Sequence, residues 1–437
     1  MDDLIFASAT SLARAIRERE VSSAEVVEAH LARIEAVNPK LNAVVQLGAE
    51  QARAEAEAAD RALAAGESVG PLHGVPFTAK DWLETAGLIC AAGEEARRHY
   101  MPEEDATVVA RMRAAGAILL GKTNILTENA VYGRTFNPYD LSRTAGYSSS
   151  GEAAIIAAGG SPVGLGSDSG GSIRVPAYTC GIAGLKPTQG RVPSTGHYPR
   201  VGGLSDPRTQ IGPMARFVED LALVFPIIAG VDWRDSEVVP MPLGAMEEVQ
   251  LSSLRVAFYT ENFISPPTQE TVEVTHQAAR VLGAAGLMVE EVLPPRLDEA
   301  LAITRSYWRR PESESWDEWK PDGEVQLSSE EVEQSLWQWE RFRRSMLRFM
   351  EQYDVILTPA GEQPAPLHGS QSVGGGTAYT LPFSLTGYPC VVVRAGTSPE
   401  GLPIGVQVVA RPWREEVALA VARLIEREMG GWQRPPL

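Results

Sequence analysis

Cysteine is scarce in this sequence, and its scarcity argues against a disulfide scaffold. The chain of 437 residues has three cysteines, Cys90, Cys180 and Cys390, which lie far apart among apolar or small residues. An odd, sparse set of this kind is typical of reduced thiols in a protein core. The sequence also lacks a Cys-x-x-Cys pair and a His-Glu-x-x-His motif. We therefore expect neither a metal site nor a cofactor.

Long apolar runs and an excess of positive charge are also missing. No run approaches the ~20 apolar residues that cross a bilayer. The chain begins Met1-Asp2-Asp3, which is acidic where a signal peptide would be basic. The formal net charge is −17, and so acidic a surface repels phosphate backbones and anionic lipids. The composition predicts a cytoplasmic protein that binds neither nucleic acid nor membranes.

The sequence does contain short apolar runs that alternate with helical stretches. Residues 1–66 have helical periodicity, and residues 70–228 then alternate glycine-bounded apolar runs with amphipathic stretches. Predicted strands include Val75–Ala79, Ala117–Leu120, Val163–Gly166, Cys390–Arg394 and Ile404–Val409, and predicted helices include Thr107–Ala115, Glu152–Ala158 and Glu415–Glu428. The alternation predicts an α/β fold, in which a mixed central sheet is covered by helices on both faces. We expect one large domain over residues 1–437.

The second half of that domain divides into two regions that differ in predicted secondary structure. Residues 229–350 are expected to be variable and helical, and residues 351–437 return to strands and a helix. Residues 301–350 hold five of the nine tryptophans: Trp308, Trp316, Trp319, Trp337 and Trp339. They are typical of amphipathic helices that pack on a core. Alternatively, they form an aromatic wall over a binding site for an apolar or aryl group.

A serine-rich block between residues 144 and 188 carries the main chemical pattern. It contains Ser148-Ser149-Ser150-Gly151 and, after a short apolar strand, Asp168-Ser169-Gly170-Gly171-Ser172. A Gly-Gly-Ser turn exposes a hydroxyl beside several backbone N–H groups, which can hold the oxyanion of a tetrahedral intermediate. Alone, such a turn would only let backbone segments pack closely. Here a lysine, Lys80, also ends a predicted strand, although a lysine in that position is usually a surface cation.

Together these stretches resemble the amidase signature family, whose members share a Ser–cis-Ser–Lys triad. The resemblance extends over most of the chain, with further landmarks at residues 121–124 and 401–407. It implies that Ser172 is the nucleophile, Ser148 is the cis-serine that relays a proton, and Lys80 is the general base. The implied activity is hydrolysis of a carboxamide bond through an acyl-serine, with a small-molecule amide as substrate.

The resemblance also assigns the residues around the nucleophile. It implies that the N–H groups of Ser169, Gly170 and Gly171 form the oxyanion hole, while Asp168 and Arg174 brace the loop. A serine hydroxyl needs a positioned base, and a lysine serves as one only when neutral, which requires its pKa to fall through burial or nearby charge.

The sequence departs from the family pattern at two positions beside the cis-serine. Tyr147 and Ser150 stand where family members have glycine, and each adds a Cβ where backbone freedom was available. In one interpretation both residues reshape the substrate pocket of a working enzyme. In the other the turn is distorted, and the chain is weakly active or a non-catalytic binding protein with the amidase fold.

Other functional classes find less support. Residues 116–123 match the phosphate-binding loop pattern, but Ala117–Leu120 is a predicted buried strand. No Gly-x-Ser-x-Gly elbow occurs, and none of the six histidines has a recognisable catalytic context; His73 is expected to be structural. A glutaminase subunit of a tRNA-dependent amidotransferase remains an alternative. Those subunits carry an acidic residue where this chain has Thr377, and this difference favours a stand-alone hydrolase. A homodimer is compatible with that role.

Overall fold

A mixed sheet of eleven strands forms the centre of the fold. The computed structural model describes residues 2–199, 208–308, 327–370 and 376–437. Its strands are β1 (Val44–Leu47), β2 (Pro76–Lys80), β3 (Ile118–Thr123), β4 (Glu128–Asn129), β5 (Gly133–Arg134), β6 (Val163–Asp168), β7 (Ala183–Lys186), β8 (Gln210–Ala215), β9 (Arg255–Phe258), β10 (Met288–Glu291), β11 (Val355–Pro359), β12 (Cys390–Thr397) and β13 (Pro403–Ala410). The sheet order is β1-β3-β2-β6-β8-β7-β12-β13-β11-β9-β10, and β4 pairs with β5 in a separate hairpin.

Helices cover this sheet. They are α1 (Asp2–Ile5), α2 (Ala9–Arg17), α3 (Ser23–Leu41), α4 (Ala49–Ala64), α5 (Thr107–Ala114), α6 (Ser150–Ala157), α7 (Arg174–Thr179), α8 (Val218–Ile228), α9 (Gln269–Ala284), α10 (Ala300–Trp308), α11 (Ser329–Phe349), α12 (Leu381–Thr386) and α13 (Glu415–Met429).

Alternate side chains of one strand enter different hydrophobic cores, which shows that both faces of the sheet are covered. Leu119 packs with α2, α5 and α8, whereas Ile118 and Leu120 pack with α3, α4 and α6. The same alternation separates Val391 from Val392 in β12. Because successive side chains of a strand point to opposite faces, the sheet is buried between two layers. The predicted class, a single α/β domain with a mixed central sheet, is confirmed.

The first 66 residues are not entirely helical, contrary to the prediction for this segment. Between α3 and α4 the chain forms β1, which pairs antiparallel with β3 at one edge of the sheet. Helix α3 ends at Leu41, and Asn42 adopts a left-handed conformation with φ 48° that turns the chain into the strand. Asparagine tolerates this conformation better than most residues.

The tryptophan-rich segment is described only in part. Trp316 and Trp319 lie outside the described residues, and Trp308 is the last residue of α10. In α11, Trp339 is buried and its indole N–H donates to the Leu385 carbonyl at 2.6 Å, while Trp337 is 57% exposed. Helix α11 therefore packs as an amphipathic helix. No helix among the described residues combines the length and the apolar character that a membrane crossing needs.

Candidate active site

Two parallel strands deliver the lysine and the aspartate of the motifs to the same edge of the sheet. Strand β2 ends at Lys80 and lies beside β6, which ends at Asp168; Ala79 is in register with Leu165. Side chains at the carboxyl ends of neighbouring parallel strands face one crevice. Both strands are buried along their whole length, so Lys80 is held in an interior position.

Lys80 contacts serine hydroxyl groups and is fully buried. Its Nζ lies 2.6 Å from Ser148 Oγ, 2.9 Å from Ser167 Oγ and 3.4 Å from the Ser167 carbonyl oxygen. Burial lowers the pKa of Lys80 well below its usual value, although Asp168 and Glu152 act in the opposite direction. Three of the four lysines among the described residues are buried. Of these, Lys80 alone contacts serine hydroxyls.

A second buried acid, Glu152, lies behind the lysine. One of its carboxylate oxygens accepts a hydrogen bond from Thr78, and the other accepts one from Thr123 at 2.7 Å. Burial raises the pKa of Glu152 to about 7. When ionised, this carboxylate favours the protonated form of Lys80 and so raises the pKa of the lysine.

Replacing Glu152 with glutamine should therefore change how the rate of fluorophosphonate labelling depends on pH. The acid limb of that pH–rate profile should move to lower pH. The amide cannot carry the negative charge that stabilises the Lys80 ammonium, so neutral lysine persists at lower pH. The rate of fluorophosphonate labelling, followed by intact mass across pH 4–10 (roughly the window in which these groups titrate), measures this limb.

The pH dependence of the unfolding free energy of Glu152→Gln provides a control. Because the folded pKa of Glu152 lies above that of an unfolded glutamate, the group stabilises the fold at low pH. That contribution is lost as pH rises from about 4.5 to about 7. The glutamine variant should lack this slope in its unfolding free energy. An acid limb that moves to higher pH would contradict the electrostatic coupling.

The loop after β6 is braced by a buried ion pair. Asp168 accepts hydrogen bonds from the N–H groups of Gly171 and Ile173, at 2.8 and 3.1 Å, and from the Arg174 guanidinium at 2.9 Å. Although burial alone would raise the pKa of Asp168, Arg174 holds it below its ordinary value. The guanidinium also donates to the Thr380 carbonyl and to Gln407 of β13. Residues far apart in sequence thus fix the loop.

The three N–H groups that the resemblance assigns to an oxyanion hole are not equivalent. The N–H of Gly171 already donates to Asp168. Those of Ser169 and Gly170 make no hydrogen bond to another described residue, so they remain available to a ligand. Gly171 has φ +139°, and a Cβ there would lie 2.4 Å from Thr380 Oγ1. A side chain at this position would therefore displace the loop.

The serines assigned to the triad are not joined to each other by a hydrogen bond. Ser148 Oγ contacts Lys80, whereas Ser172 is half-buried and its hydroxyl makes no hydrogen bond within the described residues. The peptide bond before Ser148 is trans, which differs from the cis bond that the resemblance implies; the cis bond of the described chain joins Tyr198 and Pro199. A cis bond between two non-proline residues costs ~3–4 kcal/mol, which the trans arrangement avoids.

Tyr147 and Ser150 occupy different environments. Tyr147 lines a cavity of about 370 Å³ together with Gly146, Val175, Tyr178 and Glu362. Ser150 begins α6, and its hydroxyl donates to the Leu126 carbonyl at 2.7 Å. Neither residue has positive φ, whereas Gly146 has φ +103°. The turn therefore accommodates both side chains without left-handed backbone at either position.

The structure adds one candidate functional residue that no sequence pattern indicates. His197 lies in the loop after β7, and its Nε2 is 2.8 Å from Ser167 Oγ, the hydroxyl that contacts Lys80. Burial and the nearby Lys80 lower the pKa of His197 to about 3. The sequence offers only a Gly-His-Tyr-Pro turn, because the contact exists only in the folded chain.

Comparisons with known proteins find matches over most of the chain. The family model described as Amidase matches residues 25–310 and 306–419. A glutamyl-tRNA(Gln) amidotransferase subunit from Roseiflexus sp. (strain RS-1) is 34% identical over 474 aligned residues, which cover 97% of this chain and 96% of that protein.

Solved structures with the same fold include enzymes of different kinds. The 6-aminohexanoate cyclic dimer hydrolase complexed with substrate has a TM-score of 0.87 and 29% identity, and the match covers 99% of both chains. The glutamyl-tRNA(Gln) amidotransferase subunit from Thermotoga maritima has a TM-score of 0.81 and 27% identity, over 99% of this chain and 98% of that one. By family model, identity and fold, the chain belongs to the amidase signature family.

Proposed function

We propose that this chain hydrolyses carboxamide bonds, with Ser172 as nucleophile, Ser148 as proton relay and Lys80 as general base and then general acid. The observation that carries the proposal is the fully buried Lys80 amine 2.6 Å from the Ser148 hydroxyl. Burial lowers the pKa of Lys80 well below its usual value, which favours the neutral amine that can accept a proton.

Acylation begins with proton transfer from Ser172 to Ser148 and from Ser148 to neutral Lys80. The Ser172 oxygen forms a bond to the amide carbon, and the carbonyl electron pair moves to oxygen. The N–H groups of Ser169 and Gly170 stabilise that oxyanion. The Trp82 ring centre lies 4.0 Å from Lys80 Nζ. Its π face favours the ammonium that this step creates.

Collapse of the tetrahedral intermediate breaks the carbon–nitrogen bond. The proton held by Lys80 returns through Ser148 to the leaving nitrogen, which departs as an amine or as ammonia. Water then attacks the acyl-serine and gives its proton to the same relay, and the acid product leaves as Ser172 regains its proton. Lys80 therefore ends each cycle neutral.

The cavity beside Tyr147 supplies the space for the acyl group. Gly146 and Tyr147 directly precede Ser148, and Val175 follows Ser172 by one helical turn, so the cavity borders the catalytic segment. Glu362, which is 5% exposed, is among the residues that line the cavity. A carboxylate in that position favours substrates that carry N–H donors or positive charge and disfavours anionic ones.

A glutaminase subunit is the second candidate, because amidotransferase subunits match almost the whole chain. Thr377, where those subunits have an acidic residue, argues against glutamine, whereas Glu362 offers the cavity a different carboxylate. Ammonia release from glutamine, together with a stable complex with partner subunits, would favour this candidate. The net charge of −17 supports a small-molecule amide rather than nucleic acid as the direct ligand.

Fluorophosphonate labelling followed by intact mass tests the nucleophile without knowledge of the substrate. Wild-type protein should gain one adduct, and Ser172→Ala should gain none, because the probe requires an activated serine. An amide screen with neutral and amino-substituted primary amides would follow, with Ser172→Ala as control. An adduct that persists in Ser172→Ala would contradict the assignment. No adduct on wild type and no turnover would support a non-catalytic binding protein.

A further inference from the structure

A chain of buried hydrogen bonds connects Lys80 with His197 through Ser167. Ser167 Oγ lies 2.9 Å from Lys80 Nζ and 2.8 Å from His197 Nε2, and His197 Nδ1 lies 2.9 Å from the Pro199 carbonyl oxygen. Lys80, Ser167 and His197 are 0%, 1% and 4% exposed. Because no member is open to solvent, each proton in the chain must be shared with another member.

The direction of every bond in this chain follows from its last member. A carbonyl oxygen can only accept, so His197 Nδ1 carries the proton that is donated to Pro199. The ring is neutral, and Nε2 is therefore an acceptor. The Ser167 hydroxyl has one proton, which it donates to Nε2. Ser167 Oγ is then left as an acceptor toward Lys80.

This direction determines where the lysine lone pair points. A neutral amine has two N–H bonds and one lone pair. Ser167 Oγ and the Ser167 carbonyl, at 2.9 and 3.4 Å, take the two N–H bonds. The lone pair is left for the Ser148 hydroxyl at 2.6 Å. Without His197, the Ser167 proton could turn to the lone pair and compete with Ser148 for it.

We infer that His197 is a positioning residue for the lysine base: by accepting the Ser167 proton, it commits the Lys80 lone pair to Ser148. The inference rests on the role proposed for Lys80. It assigns His197 no contact with substrate and no proton transfer of its own. The charged groups that act on Lys80 are Asp168 and Glu152, and the Trp82 ring lies against both Lys80 and His197.

Three variants separate this role from a packing role. His197→Leu removes the acceptor, His197→Gln keeps an acceptor oxygen within reach of Ser167, and Ser167→Ala removes the link. His30→Leu is the matched control, because His30 is also fully buried with Nδ1 on a backbone carbonyl, that of Val26 at 2.8 Å, but lies in α3. The readout is the rate of fluorophosphonate labelling from pH 5 to 10 (about the range over which a depressed lysine pKa titrates), with melting temperatures recorded for each variant.

The expected result is a lower plateau rate at high pH, where Lys80 is already neutral. His197→Leu should label more slowly by about tenfold or more, and His197→Gln should regain most of the rate. Ser167→Ala should lose less of the rate than His197→Leu, because it has no hydroxyl proton to compete for the Lys80 lone pair. The double variant His197→Leu/Ser167→Ala should label no more slowly than either single variant, because both substitutions act through the same hydrogen bond. The acid limb should stay in place or move to lower pH. His30→Leu should lower the melting temperature without changing the labelling rate.

Two results would overturn the inference. One is a His197→Leu plateau equal to that of wild type. The other is an acid limb of the His197→Leu profile that moves to higher pH, which would mean that water has entered and restored the lysine's ordinary pKa. Failure of wild type itself to label at Ser172 would instead reject the proposed function, so the two failures are distinguishable.

Discussion

Replacing Lys80 with methionine is expected to slow amide hydrolysis and Ser172 labelling by ~10²- to 10⁴-fold, the usual contribution of a positioned general base. Methionine fills the space with an apolar chain that cannot accept the Ser148 proton. The unfolding free energy should stay the same or rise, because the variant no longer buries an amine. Turnover, labelling rate and thermal unfolding of the purified variant measure the three effects.

Lys186 provides a matched control for this substitution. It is also fully buried, but its Nζ donates to the Pro187 carbonyl at 2.9 Å and contacts neither Ser148 nor Ser167. Lys186→Met should therefore retain far more activity than Lys80→Met. A Lys80→Met protein that labels and turns over at nearly the wild-type rate would remove Lys80 from the mechanism.

The second large effect is expected for Asp168→Ala, in stability as well as activity. The substitution leaves Arg174 buried without its counter-charge, which typically costs about 3–5 kcal/mol of unfolding free energy. It also frees the N–H groups of Gly171 and Ile173, so the loop that carries Ser172 loses its fixed shape. Denaturant unfolding and fluorophosphonate labelling report the two losses separately.

An exposed ion pair provides the control for the effect of burial on the stability loss expected in Asp168→Ala. Arg53 and Glu28 lie 2.8 Å apart with side chains 50% and 57% exposed, and such pairs contribute about 0–1 kcal/mol. Glu28→Ala should therefore leave stability and labelling nearly unchanged. If Asp168→Ala does not accumulate as folded protein, Asp168→Asn, which keeps the size and one acceptor oxygen, replaces it. Wild-type stability in both Asp168 variants would contradict the bracing role.

Strands in which apolar residues alternate with small or polar ones, or run together, were predictable from sequence. The segments predicted at Val163–Gly166, Cys390–Arg394 and Ile404–Val409 are strands β6, β12 and β13, with ends that differ by up to three residues. Strand β8 (Gln210–Ala215) was not predicted, because Gly212 and Pro213 interrupt its apolar pattern. Its place between β6 and β7 satisfies the backbone in a way that local sequence does not indicate.

For the site, sequence resemblance supplied residue identities, and only the fold supplied their contacts. The contact between Lys80 and Ser148 spans 68 positions of the chain, and the motifs predicted both members. His197 could not be found in this way, because a buried neutral histidine has no sequence pattern of its own. Likewise, the bond from the Gly171 N–H to Asp168 depends on a loop conformation, which residue types alone do not determine.

The brace on the loop that carries Ser172 comes from segments that lie far downstream in the chain. Arg174 donates to Gln407 at 2.9 Å and to the Thr380 carbonyl at 2.8 Å, and β13 lies between β12 and β11. During synthesis, Lys80, Ser148 and Ser172 leave the ribosome long before these partners do. A nascent chain therefore has the proposed catalytic residues but not the scaffold that aligns them until β13 has been synthesised. The order of segments along the chain thus delays alignment of the site until long after Ser172 has been made.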